Sequence, residues 1–339
     1  MNAAVLPTIQ VVVCTYNNAA LLDEMLTALG RQHSVERARW GCLIVDNNCT
    51  DGTPAVVEKH KRMGLIPNLR RIREAEQGLT PARLRGARST DAPWIAYVDD
   101  DCVLEADWMA AAVAFAVKHP SAGAFGGRVI LDYEREPERY VHAYSYVFAA
   151  QDHGGGERRV PFLAGAGLVV SRAALAACGW SEEPLVADRI GRQLVSGGDV
   201  EIVLRVASAG YDLWYVPAMA LRHWIPTRRT SLGYLISINR GLGISQALAD
   251  ALVWDGAASS WAVASGKKLL KAFVPLARLI VSVVRGRSAA AEIPIQASFS
   301  MGRAIGVSRV LRMPSDRRRI LIGRARPSVG REAAPTGVA

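Results

Sequence analysis

The chain has 339 residues, of which 50% are hydrophobic and 21% are charged. These values are typical of a globular protein and exclude disorder as a description of the whole chain. The formal net charge of +10 is uneven, because residues 231–339 hold 16 Lys and Arg against 5 Asp and Glu, whereas residues 1–230 hold 25 against 26. A nearly neutral body and a basic C-terminal segment therefore need separate explanations.

Short apolar runs alternate with helix-like segments through the first 120 residues. The predicted strands span 9–14, 42–45, 69–73 and 94–98, and the predicted helices span 21–29, 54–63, 81–88 and 106–117. This alternation is typical of βαβ units, so it predicts an α/β fold with a mostly parallel sheet flanked by helices. Such sheets bind ligands at the carboxyl ends of their strands. The polar residues directly after each predicted strand are therefore candidate binding residues.

The pattern is looser from residue 120 onwards. Further strands are predicted over 124–131, 163–170 and 213–216, and short helices over 172–178 and 200–209. The first of these strands contains a glycine irregularity at Gly126-Gly127, and the polar, aromatic stretch 132–159 is predicted to be a loop. We expect the body to end near Arg229, which divides the chain into a domain over 1–230 and an extension over 231–339.

The extension is predicted to contain helices over 231–252 and 265–284, followed by a frayed basic tail. On a helical wheel the second helix separates a basic face from an apolar face, made respectively by Lys267, Lys268, Lys271, Arg278 and Arg285 and by Leu269, Phe273, Leu276, Ile280 and Val284. Such a helix can lie on an anionic membrane surface. It can equally dock on the protein core and leave its basic face in water. No membrane-spanning helix and no secretory signal are predicted.

The five cysteines are odd in number and form no CxxC pair. This pattern disfavours a disulfide framework or a zinc ribbon and favours a reducing compartment.

Three consecutive carboxylates, Asp99, Asp100 and Asp101, follow the predicted strand 94–98. Acids placed together at the end of a buried strand repel one another, and a bound cation relieves that repulsion. Mg²⁺ and Mn²⁺ take oxygen ligands and often bridge a carboxylate to substrate phosphates. The alternative interpretation is an acidic turn at a helix start, because Asp favours N-caps.

Two other strand ends carry short polar side chains. Thr15, Tyr16 and Asn17 follow the first strand, and Asp46 opens a turn that continues to Thr53. These turns can hydrogen-bond a base or a ribose, or they can cap the next helix. Capping suits Asn17 and Thr53, whereas Asp46, directly after a buried strand, is predicted to be a ligand group.

Three later segments are candidates for the same edge of the sheet. Asp199 follows a glycine pair and opens a predicted helix, where an Asp N-cap is the alternative to a catalytic acid. The small residues Gly165, Ala166 and Gly167 suit close approach to a ligand, or a bulge in a core strand. His223 comes just after the last predicted strand and is flanked by Arg228 and Arg229, which are predicted to be solvated.

In combination, these motifs resemble the family 2 glycosyltransferases of the GT-A fold. The resemblance spans about residues 8–230 and lies in Thr15-Tyr16-Asn17, the Asp46 to Thr53 turn, the Asp99 to Asp101 strand end, and the segment Glu76 to Arg83. Leu84 departs from it, since many members have Asn after the Arg. The resemblance implies a nucleotide-sugar donor, a UDP-sugar above all, and a Mn²⁺ or Mg²⁺ ion. The residues it implies for donor binding are Thr15, Tyr16, Asn17, Asp46, Arg83, Asp99 and Asp100.

The resemblance also implies roles at the other end of the site. Asp101 would bind the metal and His223 would complete that site. Asp199 would be the catalytic base, with Glu201 as its reserve, although a residue two positions on points to a different helical face. Gly165, Ala166, Gly167 and Glu201 would lie on the acceptor side. A carboxylate such as that of Asp199 suits the role of catalytic base, because inversion needs an acceptor hydroxyl deprotonated opposite the leaving diphosphate.

The resulting hypothesis is an inverting, metal-dependent glycosyltransferase of bacterial surface or exopolysaccharide synthesis. Its acceptor would be a glycan or a lipid-linked intermediate, and the protein would lie in the cytoplasm on the inner face of the plasma membrane. A nicotinamide enzyme is disfavoured, because the first turn lacks glycine. Nucleic-acid binding through the basic tail is the main alternative, although no aromatic-studded basic sheet is predicted. The other alternative is a non-catalytic scaffold of the same fold.

Overall fold

The predicted alternation of strands and helices is present in the computed structural model, which describes residues 8–186, 197–284 and 290–323. Within these residues the strands are β1 Ile9–Thr15, β2 Trp40–Asp46, β3 Arg70–Arg73, β4 Trp94–Tyr97, β5 Cys102–Leu104, β6 Ala124–Gly126, β7 Val129–Tyr133, β8 Arg158–Arg159, β9 Leu168–Ser171, β10 Leu213–Tyr215 and β11 Leu221–Ile225. The α-helices are α1 Ala19–Gly30, α2 Thr53–Met63, α3 Leu79–Arg88, α4 Trp108–Lys118, α5 Arg172–Ala177, α6 Gly198–Ser208, α7 Leu232–Leu252, α8 Ala258–Val284, α9 Glu292–Arg312 and α10 Ser315–Leu321.

The main sheet has eight strands in the order β3-β2-β1-β4-β9-β6-β10-β8. Strand β1 pairs in parallel with β2 and β4, and β2 pairs in parallel with β3. Strand β9 runs antiparallel between β4 and β6, whereas β6 and β10 are parallel. The sheet is therefore mixed and mostly parallel, which confirms the predicted fold class.

Both faces of this sheet are buried, which explains why its central strands are continuous apolar runs. Val11 and Val13 face a core that includes Met25 of α1 and Trp108 of α4. Val12 faces the opposite core, which includes Ile202 of α6. Successive side chains of a strand point to opposite faces, so one strand contributes to both cores. The result is a three-layer arrangement with helices on each side of the sheet.

The predicted strand 124–131 is in fact two strands in two different sheets. It breaks at Gly127, where a Cβ would lie 1.7 Å from the carbonyl oxygen of Met219. Strand β6 stays in the main sheet, whereas β7 joins a three-stranded sheet of order β5-β11-β7. The prediction that His223 follows the last strand is also wrong, because His223 lies within β11, opposite Cys102 of β5. The small sheet thus places His223 beside the Asp99 to Asp101 turn.

The stretch 132–159 contains more regular structure than the predicted loop. Strand β7 continues to Tyr133, a 3₁₀ segment spans Arg139–Phe148, and β8 forms an edge of the main sheet. The 3₁₀ segment buries Val141, Tyr144 and Phe148 in a core shared with Ile225 of β11 and Leu235 of α7.

The C-terminal helices pack on the body and on each other. Helices α9 and α7 approach closely, because a Cβ on Gly302 would lie 2.0 Å from the carbonyl oxygen of Arg240. The sequence pattern did not predict α9, and Arg317, Arg318 and Arg319 lie in α10 rather than in a frayed tail. The predicted domain boundary at residue 230 stays a prediction.

Much of the predicted amphipathic surface of α8 lies outside the described residues or side chains. This applies to Lys271, Arg278, Arg285, Leu269, Phe273, Leu276, Ile280 and Val284, and to the segment 324–339. The side chains of Lys267 and Lys268 are exposed. Among the described residues, no helix combines the length and apolar composition that crossing a membrane requires.

Candidate active site

The carboxyl ends of β1 and β4 hold Asp100 in a fixed orientation. The Thr15 hydroxyl donates to Oδ2 of Asp100 at 2.7 Å, and Nδ2 of Asn18 donates to Oδ1 at 2.8 Å. Burial, followed by repulsion from Asp101, raises the pKa of Asp100. Both oxygens of this carboxylate are therefore held by residues that follow or end the first strand.

Asp101 is buried and faces two basic side chains. Its Oδ1 lies 3.4 Å from Nε2 of His223, and its Oδ2 accepts a hydrogen bond from Nη1 of Arg229 at 3.0 Å. Burial opposes ionisation of this carboxyl, but the charges of His223 and Arg229 lower its pKa. Asp101 is thus held as a carboxylate at neutral pH.

The orientation of His223 suits a divalent metal site. Its Nδ1 lies 2.8 Å from the carbonyl oxygen of Phe148, so Nδ1 donates there and Nε2 faces Asp101, where it would give up its proton to bind a metal. Histidines that bind metals commonly donate their other ring N–H to a carbonyl in this way. A carboxylate suits Mn²⁺ or Mg²⁺, and an imidazole suits transition-metal ions.

Cys102 completes the group of possible ligands, since its sulfur, an Asp101 oxygen and a His223 nitrogen lie within 4.8 Å of one another. Burial raises the pKa of the Cys102 thiol, so it stays protonated and is a poor ligand for a hard cation. Asp101 and His223 are therefore the residues that fit a Mn²⁺ or Mg²⁺ ion.

Asp199 lies in the first turn of α6 and packs directly against Gly165. A Cβ on Gly165 would lie 2.2 Å from Oδ2 of Asp199 and 2.8 Å from its Cβ. The other carboxylate oxygen, Oδ1, accepts a hydrogen bond from the backbone N–H of Val200 at 3.0 Å. The turn therefore orients this carboxylate, and the glycine leaves room for it.

These groups line one cavity of about 1010 Å³. This volume is at the upper end of the range for ligand-binding pockets. Of the fourteen residues predicted for the site, eleven line the cavity: Thr15, Tyr16, Asn17, Arg83, Asp99, Asp100, Asp101, Gly165, Ala166, Asp199 and His223. The cavity therefore joins the acids of the first half of the chain to the acid of α6.

A family model described as "Glycosyl transferase family 2" matches residues 10–179, which is half of the chain. This chain belongs to glycosyl transferase family 2.

Two curated relatives of this family 2 member come from Haloferax volcanii. Glycosyltransferase AglE is 24% identical over 214 residues, which cover 62% of this chain and 64% of the relative. A glucosyl-dolichyl phosphate glucuronosyltransferase is 29% identical over 85 residues, covering 25% of this chain and 27% of the relative. The chain thus spans less than two thirds of either relative.

Two solved structures share the GT-A fold. The mannosyltransferase PcManGT from Pyrobaculum calidifontis, in complex with GDP-Man and Mn²⁺, is 19% identical, with a TM-score of 0.53 over 90% of this chain and 86% of its own. GalNAc-T7, with UDP, GalNAc and Mn²⁺, is 15% identical, with a TM-score of 0.53 over 74% of this chain and 48% of its own. At these identities the likeness shows the fold alone.

Arg83 and Asn47 shape the part of the cavity where donor binding is predicted in this family 2 member. Arg83 is buried, and its guanidinium lies over the Tyr97 ring, 5.9 Å from the ring centroid. Asn47 accepts a hydrogen bond from the N–H of Gly78 at 2.8 Å and donates one to the carbonyl of Glu76 at 2.6 Å. Asn47 therefore fixes the loop that leads into the helix of Arg83.

Asp46 does not line the cavity. Its Oδ2 lies 2.6 Å from Nη1 of Arg71, and its Oδ1 accepts from the N–H of Cys49 at 2.8 Å. Only 3% of Asp46 is exposed. These contacts give Asp46 a structural role in the turn after β2, so they do not support the predicted direct contact with the base or ribose.

Gly167 and Glu201 also lie outside the cavity lining. Gly167 has φ of +72°, and a Cβ on it would lie 2.5 Å from a methyl of Leu221. Glu201 is fully buried and pairs with Arg205 at 2.8 Å. It accepts hydrogen bonds from the N–H groups of Leu185 and Val186. Glu201 therefore holds in place the chain just before residues 187–196, which lie outside the described residues.

Asn17 does not cap α1 as predicted. Its Oδ1 accepts a hydrogen bond from the N–H of Thr50 at 2.7 Å, which joins the turns after β1 and β2. Thr53 binds Asp51 instead of capping α2 itself.

Sequence reasoning missed one basic group and two walls of the cavity. Arg229, predicted to be solvated, is only 21% exposed because it pairs with Asp101. The 3₁₀ segment contributes Tyr146 and Phe148, and helices α7 and α9 contribute Leu242 and Phe299. The aromatic content of 140–148 was a usable signal. The sequence of α7 gave no signal that its residues line the cavity, because a cavity-lining helix face has the same periodicity as a core-facing one.

Proposed function

We propose that this protein is an inverting, metal-dependent glycosyltransferase that uses a nucleotide-sugar donor. The observation that carries the proposal is the joining, in one cavity, of the Asp99 to Asp101 strand end with Asp199. The family membership and the GT-A fold support the same reaction class. A non-catalytic scaffold of the same fold would not need Asp101 and Asp199 to line one cavity.

Thr15, Tyr16, Arg83 and Asp99 would hold the donor. They lie at the carboxyl edge of the sheet, where α/β folds bind nucleotides. A UDP-sugar is our first choice and a GDP-sugar the second, since the two GT-A structures contain UDP and GDP-Man.

Asp101 and His223 would hold a Mn²⁺ or Mg²⁺ ion, as their geometry fits one. When bound, such an ion neutralises charge that develops on a leaving diphosphate. Arg229, which pairs with Asp101 here, lies on the same side of the cavity and adds positive charge.

Asp199 would act as the general base. Its carboxylate takes the proton of the acceptor hydroxyl while that oxygen forms a bond to the anomeric carbon. The bond from the anomeric carbon to the diphosphate oxygen breaks, and the nucleoside diphosphate leaves with the electron pair. Attack opposite the leaving group inverts the configuration.

The decisive experiment is a screen of UDP-, GDP- and dTDP-sugars for Mn²⁺-dependent hydrolysis and transfer. We expect one donor class to react, and Asp101→Ala and Asp199→Asn to reduce turnover by at least about 100-fold. Asp255→Asn, at an exposed position outside the cavity, is the matched control and keeps full activity. The proposal is wrong if no donor binds or if both cavity variants remain fully active.

We also propose that the protein builds a polysaccharide at the inner face of the plasma membrane, with the basic C-terminal segment on anionic lipid. The exposed Lys267 and Lys268, together with the exposed apolar side chains Val263, Val274 and Val281, support membrane contact by α8.

Vesicle sedimentation tests the membrane proposal. We expect the full chain to sediment with phosphatidylglycerol vesicles but not with phosphatidylcholine vesicles. The triple variant Lys267→Glu, Lys271→Glu, Arg278→Glu should lose this binding. A triple variant with the same charge change on the body, at the exposed Arg31, Lys61 and Arg62, should keep it. Equal binding by the two triple variants would contradict the proposal, as would binding to DNA in place of vesicles.

A further inference from the structure

Helix α7 forms part of the wall beside Asp199, although it belongs to the segment predicted to be an extension. A Cβ on Gly197 would lie 3.5 Å from Oγ of Ser245, which places α7 against the turn that carries Asp199. Leu242, Ser245, Gln246 and Ala249 line the cavity. Their spacing of three and four residues puts them on one face of the helix.

Helix α9 and the 3₁₀ segment extend this wall. Phe299 of α9 lines the cavity, and its backbone lies close enough to α7 that a Cβ on Gly243 would be 2.1 Å from the Phe299 carbonyl oxygen. The Tyr146 hydroxyl donates to Oδ1 of Asn239 in α7 at 3.1 Å. Helices α7 and α9 lie outside the segment 10–179 that the family model matches, whereas the 3₁₀ segment lies within it.

The wall is mainly apolar where it faces the cavity. Leu242, Ala249 and Phe299 carry no polar side-chain atoms. Each of the two polar side chains that α7 brings already has one partner, since the Ser245 hydroxyl donates to the Gly241 carbonyl and Nε2 of Gln246 donates to Oδ1 of Asp250. A purely polar glycan would find few new hydrogen bonds there, and burying its hydroxyls without partners costs free energy.

Large apolar side chains are also exposed towards the same cavity. Tyr146 is 56% exposed and Phe162 is 41% exposed, and both line it. Exposed apolar groups that line a concave site are typical of a surface that a ligand covers.

We propose that α7 and α9 form the acceptor subsite and that the acceptor is amphiphilic. It carries the reacting hydroxyl next to an apolar group, which packs on Leu242 and Phe299 while the hydroxyl meets Asp199. This inference rests on the proposed function and deepens it, because it selects an acceptor with an apolar portion over a free glycan.

The test compares octyl and methyl glycosides of glucose, mannose and N-acetylglucosamine as acceptors, each below its critical micelle concentration. We expect the wild-type protein to show a kcat/KM at least about tenfold higher for one octyl glycoside than for its methyl counterpart, because the alkyl chain is buried. Phe299→Ala should lose about tenfold for the octyl acceptor through its KM, a larger loss than for the methyl counterpart. Met301→Ala, exposed on the same helix and outside the cavity lining, is the matched control.

Leu242→Asn provides a second variant, since it adds an amide to the same wall with little change in volume. It should also raise the KM for the octyl acceptor alone. The inference would be overturned if the wild type used octyl and methyl acceptors equally well, or if it transferred sugar to neither of them. It would also be overturned if both variants kept the wild-type kinetics with the octyl acceptor. Failure of the proposed function looks different, because the wild type would then neither bind nor hydrolyse any nucleotide sugar.

Discussion

The contact between Gly165 and Asp199 shows how one missing side chain can set the position of a proposed catalytic carboxylate. The carboxylate of Asp199 occupies the volume that a Cβ at residue 165 would need. Gly165 has no left-handed backbone requirement, so the steric contact is the reason for glycine there.

Gly165→Ala should therefore displace Asp199 and lower kcat by about 100-fold, since misplacing a catalytic group by about 1 Å has an effect of that size. Steady-state kinetics with the donor found by the screen measures this effect. Gly155→Ala is the matched control, because a Cβ there meets no atom within 4 Å. Full activity in Gly165→Ala would show that the position of Asp199 is not critical.

Asp23 provides a residue-scale prediction about pH. Its oxygens lie 2.7 Å from Nζ of Lys59 and 2.6 Å from Nε2 of His60, which joins α1 to α2. The hydrogen bond from Lys59 lowers the pKa of Asp23. The unfolded chain therefore binds this proton more readily, so the contribution of Asp23 to stability is present at neutral pH and is lost as the pH falls below about 4.

Urea unfolding at pH 7 and at pH 3.5 tests this contribution. Asp23→Asn should lower the free energy of unfolding at pH 7 and reduce its decrease between the two pH values. Asp255→Asn, at an exposed position, should behave like the wild type. An unchanged pH dependence in Asp23→Asn would mean that the ion pair contributes nothing measurable.

Among single residues, the strand-end side chains were the most predictable from sequence. Parallel strands bring their carboxyl ends together whatever the surrounding detail, so Thr15 and Asp100 were expected at one site. Which of them face a ligand was not predictable. Asp46 turns towards Arg71, which is in the adjacent strand and 25 positions away in sequence.

At the scale of elements, the packing of α7 against α9 depends on glycines. Gly243, Gly302 and Gly306 lie where the two helices approach, and a Cβ on Gly302 would clash with the backbone of Arg240 at 2.0 Å. Backbone atoms cannot move aside as a side chain can, so added volume must separate the helices.

Gly302→Ala should thus lower the free energy of unfolding by about 1–3 kcal/mol, which is the usual cost of overpacking. Gly266→Ala on α8 is the control, since nothing lies within 4 Å of a Cβ there. In a helix interior that change should raise stability by about 0.5–1 kcal/mol. Chemical denaturation of both variants measures the difference. A neutral Gly302→Ala would show that the helix pair adapts without cost.

The elements that sequence patterns failed to predict share a physical feature. Strand β11 reads Leu-Arg-His-Trp-Ile, and its polar side chains concealed its pairing with β5 and β7. Helix α9 is rich in small residues and has no strong apolar stripe. Tertiary pairing, rather than local periodicity, stabilises both.

For the whole molecule, the C-terminal helices complete the cores as well as the cavity. Leu235 and Ile238 of α7 pack with Phe148 and Ile225, and Leu185 packs in a core with Leu252 and Trp261. The boundary predicted at residue 230 would cut through these contacts.

A chain that ends at residue 230 should consequently bind a hydrophobic dye and unfold at a temperature at least about 10 °C lower than the full chain, because it exposes several buried side chains. The full chain should unfold in a single calorimetric transition. A truncated chain that unfolds cooperatively at the full-length temperature would instead establish residues 1–230 as an independent domain.

The sequence by itself indicated the family, the α/β architecture and eleven of the residues that line the cavity, because the positions of strands and of strand ends follow from local patterns. The sequence also showed that the net positive charge lies in residues 231–339. Only the tertiary structure decided that Arg229 pairs with Asp101, that Glu201 is a buried brace, and that α7 and α9 close the cavity. These features depend on contacts between residues far apart in the chain, and no local pattern records such contacts.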